Sequence, residues 1–300
     1  VGTASPSGLA QALVNVPAGP AFLAGRWDSR IARARSLAAD ASPASAILSF
    51  YAGLAELQKR IASNAAPSDL RGAADAAASS IADLLQWLRG HAPVALASVA
   101  AGGRARPVQE WKTLLDQRIE AGESIEDGPT AFIIEAALQP FAERAALEKV
   151  RLPPSREALR RAPPELAVVL SSVGGKPDPT YGSRCPLCMS LPVVAVLREE
   201  GQGARRSLVC GLCFNEWDYL RIQCPSCKEN RFEALPVYTA DAPANARIDA
   251  CDSCRTYIKT VDLTKDGLAV PVVDDLATLS LDLWARDRGY QRFYPNLLRL

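Results

Sequence analysis

Cys185-Pro186-Leu187-Cys188, Cys210-Gly211-Leu212-Cys213, Cys224-Pro225-Ser226-Cys227 and Cys251-Asp252-Ser253-Cys254 together contain all eight cysteines of this chain. A C-x2-C turn brings two thiolates toward one ion while its backbone N–H groups point at the sulfurs. A second such turn completes a tetrahedron of four sulfurs, a donor set suited to zinc or iron. Eight cysteines therefore make two complete tetrathiolate sites.

The spacing indicates the pairing. Twenty-one residues separate the first two turns and 23 the last two, but only 10 lie between the second and third. Each long gap has room for a β-hairpin. Val193–Arg198, a loop at Gly201-Gln202-Gly203 and Arg206–Cys210 read as strand, turn, strand, as do Phe232–Tyr238, a loop through Pro243 and Arg247–Cys251. Both units begin C-P-x-C, and each ends in a polar-aromatic strand, Glu216–Leu220 in one and Thr256–Thr260 in the other. This is a duplicated metal ribbon of about forty residues. Loop lengths favour sequential pairing, Cys185, Cys188, Cys210 and Cys213 on one ion and Cys224, Cys227, Cys251 and Cys254 on another; a cross-braced arrangement is the alternative.

Other uses of cysteine fit less well. Four disulfides would need an oxidising compartment, and no basic segment with an apolar run and cleavage site opens the visible sequence. A thioredoxin-like site places one C-x2-C at the head of a helix in a βαβ unit, and none of the four sits there.

The 300 residues are 48% hydrophobic and 22% charged, enough apolar material for one large or two ordinary domains. The longest apolar runs, such as 92–101, are too short to span a membrane. Upstream of residue 180 the chain is alanine-rich with helical periodicity. Ala46–Asn64, Asp69–Arg89, Pro107–Ala121 and Thr130–Val150 predict a helical bundle, with Pro140 expected to kink the last of these. Residues 1–180 are expected to form this domain and to end in a linker at Gly174-Gly175-Lys176-Pro177-Asp178-Pro179. Ribbons at 181–222 and 223–263 and a closing segment at 264–300 follow. The fold class is α+β multidomain: an N-terminal helical bundle, two tandem rubredoxin-like or zinc-ribbon modules, and a C-terminal helix over Val273–Arg288. Rigid ribbons joined to a bundle by a short linker also suggest an interdomain groove where a partner could dock.

No catalytic residues emerge. His91, the only histidine, sits at a helix boundary and reads as a loop or capping residue. Arg33, Arg35 and Arg160-Arg161 read as solvated faces. Asp274 and Asp275 suit the first turn of the closing helix. That helix either caps the second ribbon or uses the two carboxylates to contact a partner.

From Arg184 to Gly289 the four C-x2-C pairs, Asn215-Glu216-Trp217, Thr256-Tyr257-Ile258-Lys259 and Asp274-Asp275-Leu276-Ala277 together resemble the FdhE family of formate dehydrogenase accessory proteins. The resemblance implies a cytoplasmic assembly factor rather than an enzyme. It would bind the catalytic subunit of a molybdenum- or tungsten-containing formate dehydrogenase and hold rubredoxin-like centres, with no small-molecule substrate. Two alternatives remain. An electron carrier would need a redox-active iron near the surface. A nucleic-acid module would need a basic footprint, whereas residues 184–262 carry ten Arg/Lys and ten Asp/Glu, and two divalent ions each on four thiolates would contribute a further charge of about −4. The resemblance favours iron, and ribbons in general favour zinc; the donor set accepts both.

Overall fold

The computed structural model describes residues 20–40, 42–103, 106–124, 128–151, 182–239 and 244–299. The expected linker at 174–179 and Arg160-Arg161 lie outside them. The described residues between 20 and 151 hold six helices: α1 Pro20–Ala39, α2 Ser45–Ala62, α3 Leu70–His91, α4 Val94–Gly103, α5 Val108–Ala121 and α6 Gly128–Arg151. The α+β architecture follows the sequence pattern.

Local chemistry sets the helix ends. Asp69 accepts from Gly72 N at 2.8 Å at the start of α3, occupying one of the four donors that a helix N-terminus leaves unpaired. Gly122 ends α5 at φ +68, where a Cβ would sit 2.8 Å from Met189 O. His91 closes α3 by stacking on Trp87 with ring centroids 4.7 Å apart.

Helix α3 packs on α5 and α6, and α1 packs on α2. The sequence pattern had not marked α1 as an element. Its buried positions Leu23, Trp27, Arg30, Ile31 and Ala34 do recur at helical spacing, but a buried arginine interrupts the apolar stripe.

Pro140 lies within a continuous α6. Lacking an N–H, it cannot donate to the carbonyl of Ala136 four residues back. Gln58 of α2, 1% exposed, supplies the missing donor, its Nε2 lying 2.7 Å from Ala136 O. Replacing Gln58 with leucine leaves that buried acceptor unpaired and is expected to cost about 1–3 kcal/mol. Urea denaturation of the variant beside the wild type measures it.

The ribbons bring β1 Pro192–Glu200, β2 Gly203–Cys210, β3 Glu216–Asp218, β4 Val237–Thr239, β5 Ala246–Cys251 and β6 Thr256–Asp262. Gly201, at φ +57, makes the tight β1–β2 turn. The expected strand from Phe232 is interrupted: Phe232–Ala234 is a 3-10 turn and Pro236, with no donor, precedes the three-residue β4.

Both hairpins join one sheet of order β3-β2-β1-β6-β5-β4. The first strand of unit one lies parallel to the last strand of unit two, Ala195 opposite Thr260 and Leu197 opposite Asp262. Sequence spacing gave no hint of this junction. A short β7, Gln291–Arg292, pairs in parallel with β6 at Thr256 and Tyr257. The single closing helix expected over Val273–Arg288 is instead two, α7 Pro271–Ala277 and α8 Leu279–Asp287, broken at Thr278. The Thr278 hydroxyl turns back onto Asp274 O and Asp275 O at 2.9 and 3.1 Å, a local bond that competes with the helical ladder.

The expected interdomain groove is filled. One apolar core runs from Leu84, Leu115, Phe132 and Phe141 of the helices to Leu208, Leu212 and Ile258 of the sheet.

Candidate metal centres

The eight cysteines gather into two clusters, Cys185, Cys188, Cys210 and Cys213, and Cys224, Cys227, Cys251 and Cys254, the sulfurs of each within 4.8 Å of one another. The pairing is sequential. In the first cluster, Cys185 and Cys213 are 3.6 Å apart and Cys188 and Cys210 3.3 Å. In the second, Cys224 and Cys254 are 3.7 Å apart and Cys227 and Cys251 3.6 Å. An ion about 2.3 Å from each of four sulfurs requires sulfur separations of about 3.8 Å, whereas a disulfide requires about 2.05 Å. All eight are free thiols, and their spacing fits one ion per cluster.

The four turns share one backbone design. In the first three the N–H of the first cysteine bonds the carbonyl five residues on: Cys185 to Ser190 O at 2.8 Å, Cys210 to Asn215 O at 2.9 Å and Cys224 to Glu229 O at 2.8 Å. The residue after each second cysteine is left-handed: Met189 at φ 60, Phe214 at 54, Lys228 at 67 and Arg255 at 58. Such a φ costs a non-glycine residue roughly 1–2 kcal/mol. Three of the four side chains anchor elsewhere. Phe214 lies under the Arg30 guanidinium at 4.6 Å. Lys228 donates to Ser183 Oγ at 2.5 Å and Tyr219 OH at 3.1 Å, tying the second cluster to the first unit. Arg255 covers Tyr290 at 3.9 Å and donates to Arg288 O.

Donors surround the sulfurs. Leu187 N points at Cys185 Sγ (3.4 Å), and Leu212 N and Cys213 N at Cys210 Sγ (3.3 and 3.4 Å). Two residues beyond the last cysteine of each unit stands a polar side chain, Asn215 toward Cys185 Sγ at 3.8 Å and Thr256 beside Cys254 Sγ at 3.0 Å. In the second cluster, burial would raise the Cys254 thiol, yet its bonds with Thr256 bring it down to about 6. Burial and neighbouring thiols push Cys251 up to about 12.

The clusters differ in setting. Cys185, Cys188, Cys210 and Cys213 are at most 3% exposed and belong to the core shared with the helices. In the second cluster Cys224 and Cys251 are buried, Cys254 is half-buried and Cys227 is exposed.

The first cluster is enclosed by residues that sequence pattern alone did not mark. Along α6, Glu135, Gln139 and Glu143 form a buried polar stripe at four-residue intervals. Gln139 Nε2 donates to Gly211 O inside the second turn at 2.9 Å. Glu135 pairs with buried Arg118 at 2.5 Å and accepts from Tyr294 OH at 3.2 Å; Arg118 reaches Ser190 Oγ at 3.3 Å. Glu143 pairs with Arg30 at 2.5 Å. The signal was there as E-x3-Q-x3-E, beginning in the otherwise apolar stretch 131–142.

Asp274 and Asp275, considered above as a partner contact, point inward, 3% and 1% exposed. Asp274 pairs with Arg33 at 2.5 Å and accepts from Asn245 and from Val270 N. Arg33 is thus a bridge from α1 to α7 rather than a solvated charge. Asp275 meets Arg292 at 2.5 Å, Lys259 at 3.1 Å and Asn296 at 3.0 Å. The two carboxylates are spent on the fold because the first turn of α7 faces the sheet and α1.

Family models for the FdhE central domain and the FdhE C-terminal domain match residues 184–221 and 222–299. Together the two matches cover 116 of the 300 residues. The central-domain match carries the first cluster, and the C-terminal match carries the second cluster with α7, α8 and β7. A protein named FdhE homolog from Aquifex aeolicus is 38% identical over 120 residues, 39% of this chain and 42% of its own length. One of the same name from Pseudomonas aeruginosa is 40% identical over 119 residues, 38% of each chain. These matches thus span about two fifths of the relatives' length. The crystal structure of the FdhE protein from Pseudomonas aeruginosa aligns over 92% of this chain and 96% of its own, with a TM-score of 0.66 and 25% identity. The FdhE fold accordingly extends into the helical domain.

Proposed function

We propose that this chain is a cytoplasmic assembly factor that binds the catalytic subunit of a formate dehydrogenase and supports its maturation. The observation that carries this reading is the FdhE family match across both clusters. The site chemistry supports it. Four thiolates fill a tetrahedral ion, so each centre holds its ribbon together and offers no vacant position to a substrate. The even charge balance of the ribbons fits a protein partner better than a phosphate backbone. Among the described residues no helix is long and apolar enough to cross a membrane. Iron is the proposed metal in both clusters, tested by metal analysis of protein purified without oxygen.

Co-expression with a formate dehydrogenase catalytic subunit should yield a complex on affinity purification. A deletion strain should make the subunit but lose formate oxidation. No capture of the subunit, together with normal activity in the deletion strain, overturns the assembly role. The exposure of Cys227 favours electron transfer as a second reading, and a red protein that is reversibly reduced and oxidised would support it.

A further inference from the structure

We propose that the two tetracysteine clusters differ in kind: the second is a metal-exchange site, opened by Cys227, that takes up and surrenders a soft divalent ion to small thiols and chelators without unfolding, while the first is sealed.

Three observations lead to this. Access comes first. Ligand exchange at a filled tetrathiolate centre proceeds by entry of a new donor, and every sulfur of the first cluster is at most 3% exposed inside the shared core. In the second cluster Cys227 is exposed and Cys254 half-buried, with exposed Ser226, Lys228 and Ser253 around them.

The second concerns which ligand leaves. Cys254 is held by Thr256 Oγ1 at 3.0 Å, and Cys224 has the same hydroxyl at 3.9 Å. The contact described for the Cys227 sulfur is Cys251 Sγ at 3.6 Å. Cys227 is the exposed sulfur of the four, so it is the one with room to swing from the ion into water. The step balances without redox change. The incoming thiol gives up its proton as its sulfur bonds the ion, the bond to Cys227 Sγ breaks, and that sulfur takes a proton.

The third is what holds the unit together while Cys227 is away. Its strands are fixed by the six-residue β5–β6 register and by the parallel β1–β6 junction. Glu229 clasps the two turns from outside by accepting from Ser253 Oγ at 2.6 Å, and Lys228 ties the third turn to Tyr219. Beneath the sheet, buried Lys259 joins β6 to Asp282 of α8 at 2.5 Å. The frame around the second cluster therefore does not depend on its ion alone, in contrast to an isolated ribbon of forty residues.

The test uses the full chain loaded with two equivalents of zinc and challenged with a chromophoric zinc chelator in excess. Release should occur in two phases of one equivalent each. The fast phase should be at least 100-fold faster than the slow one and leave far-UV circular dichroism unchanged; the slow phase should follow the unfolding rate. N-ethylmaleimide with peptide mass spectrometry should modify Cys227 and Cys254 before any of Cys185, Cys188, Cys210 and Cys213. A Cys227→Ser variant should remain folded and lose the fast phase alone. Release of both ions in one phase, first labelling within the first cluster, or unfolding during the fast phase would each overturn the proposal. The labelling order is read on wild-type protein, so it stands even if the variant fails to fold.

Discussion

Replacing Cys185 with serine is expected to remove one ion and to unfold the sheet and the helical domain together. Cys185 is fully buried, and its cluster sits in the core that also holds Leu84, Phe132 and Phe141. Binding of a structural zinc ion contributes roughly 10–16 kcal/mol in small metal-dependent folds, comparable with the about 5–15 kcal/mol by which a whole domain is stable. Losing that contribution removes most or all of such a margin, and Gln139 and Arg118 lose their partners across the interface at the same time. Far-UV circular dichroism with metal analysis gives the answer. A variant that keeps both ions and its helical signal would show that Cys185 is not a ligand.

Asp275→Ala is the second substitution of large effect. It takes one carboxylate from a buried group of four charges, Asp275 and Asp282 against Lys259 and Arg292. The two cations remain inside with a single counter-charge. Breaking a buried pair from one side costs about 3–5 kcal/mol, and thermal or urea denaturation should show a loss of that order. The pH profile adds a sign. Burial alone would raise the Asp275 carboxyl, but Arg292 and Lys259 beside it hold it below the ordinary carboxylate range. A depressed folded-state pKa stabilises above the unfolded value of about 3.9 and is lost as pH falls through the folded one. This contribution of Asp275 is therefore intact at neutral pH and disappears below about pH 4. The variant should lack that part of the acid dependence. Melting measured beside partner capture also separates the two roles considered for this residue: capture lost with melting unchanged would restore a direct contact.

The clusters were legible because cysteine spacing is a strong constraint. Two C-x2-C turns supply the four sulfurs of one tetrahedral ion, and hairpin-length gaps favour the turns that meet. Helices α2, α3, α5 and α6 were legible for a similar reason, enough of their apolar positions recurring at helical spacing over several turns. Elsewhere the decisive contacts are long-range and polar. Helix α1 hides behind Arg30, whose charge is neutralised by Glu143 more than a hundred residues away. Asp274 and Asp275 look like surface carboxylates until Arg33 and Arg292 are brought to them by the fold. The acceptor that Pro140 leaves unpaired is met by Gln58, 78 residues before it in sequence. The β1–β6 junction leaves no trace in either hairpin's own pattern.

That junction bears on how a duplicated unit acquires two environments. Copies related by a two-fold axis would meet through the same strand and see identical surroundings. Here the second copy is related to the first by a shift along the sheet, so first strand meets last strand and the two ends of the array differ. A shift of this kind has no internal stop; a third copy could be added at either end. The three-residue edge strands β3 and β4 offer too few backbone groups to recruit one. The two members of this pair are therefore unequal, the first cluster buried against the helices and the second reaching solvent at Cys227.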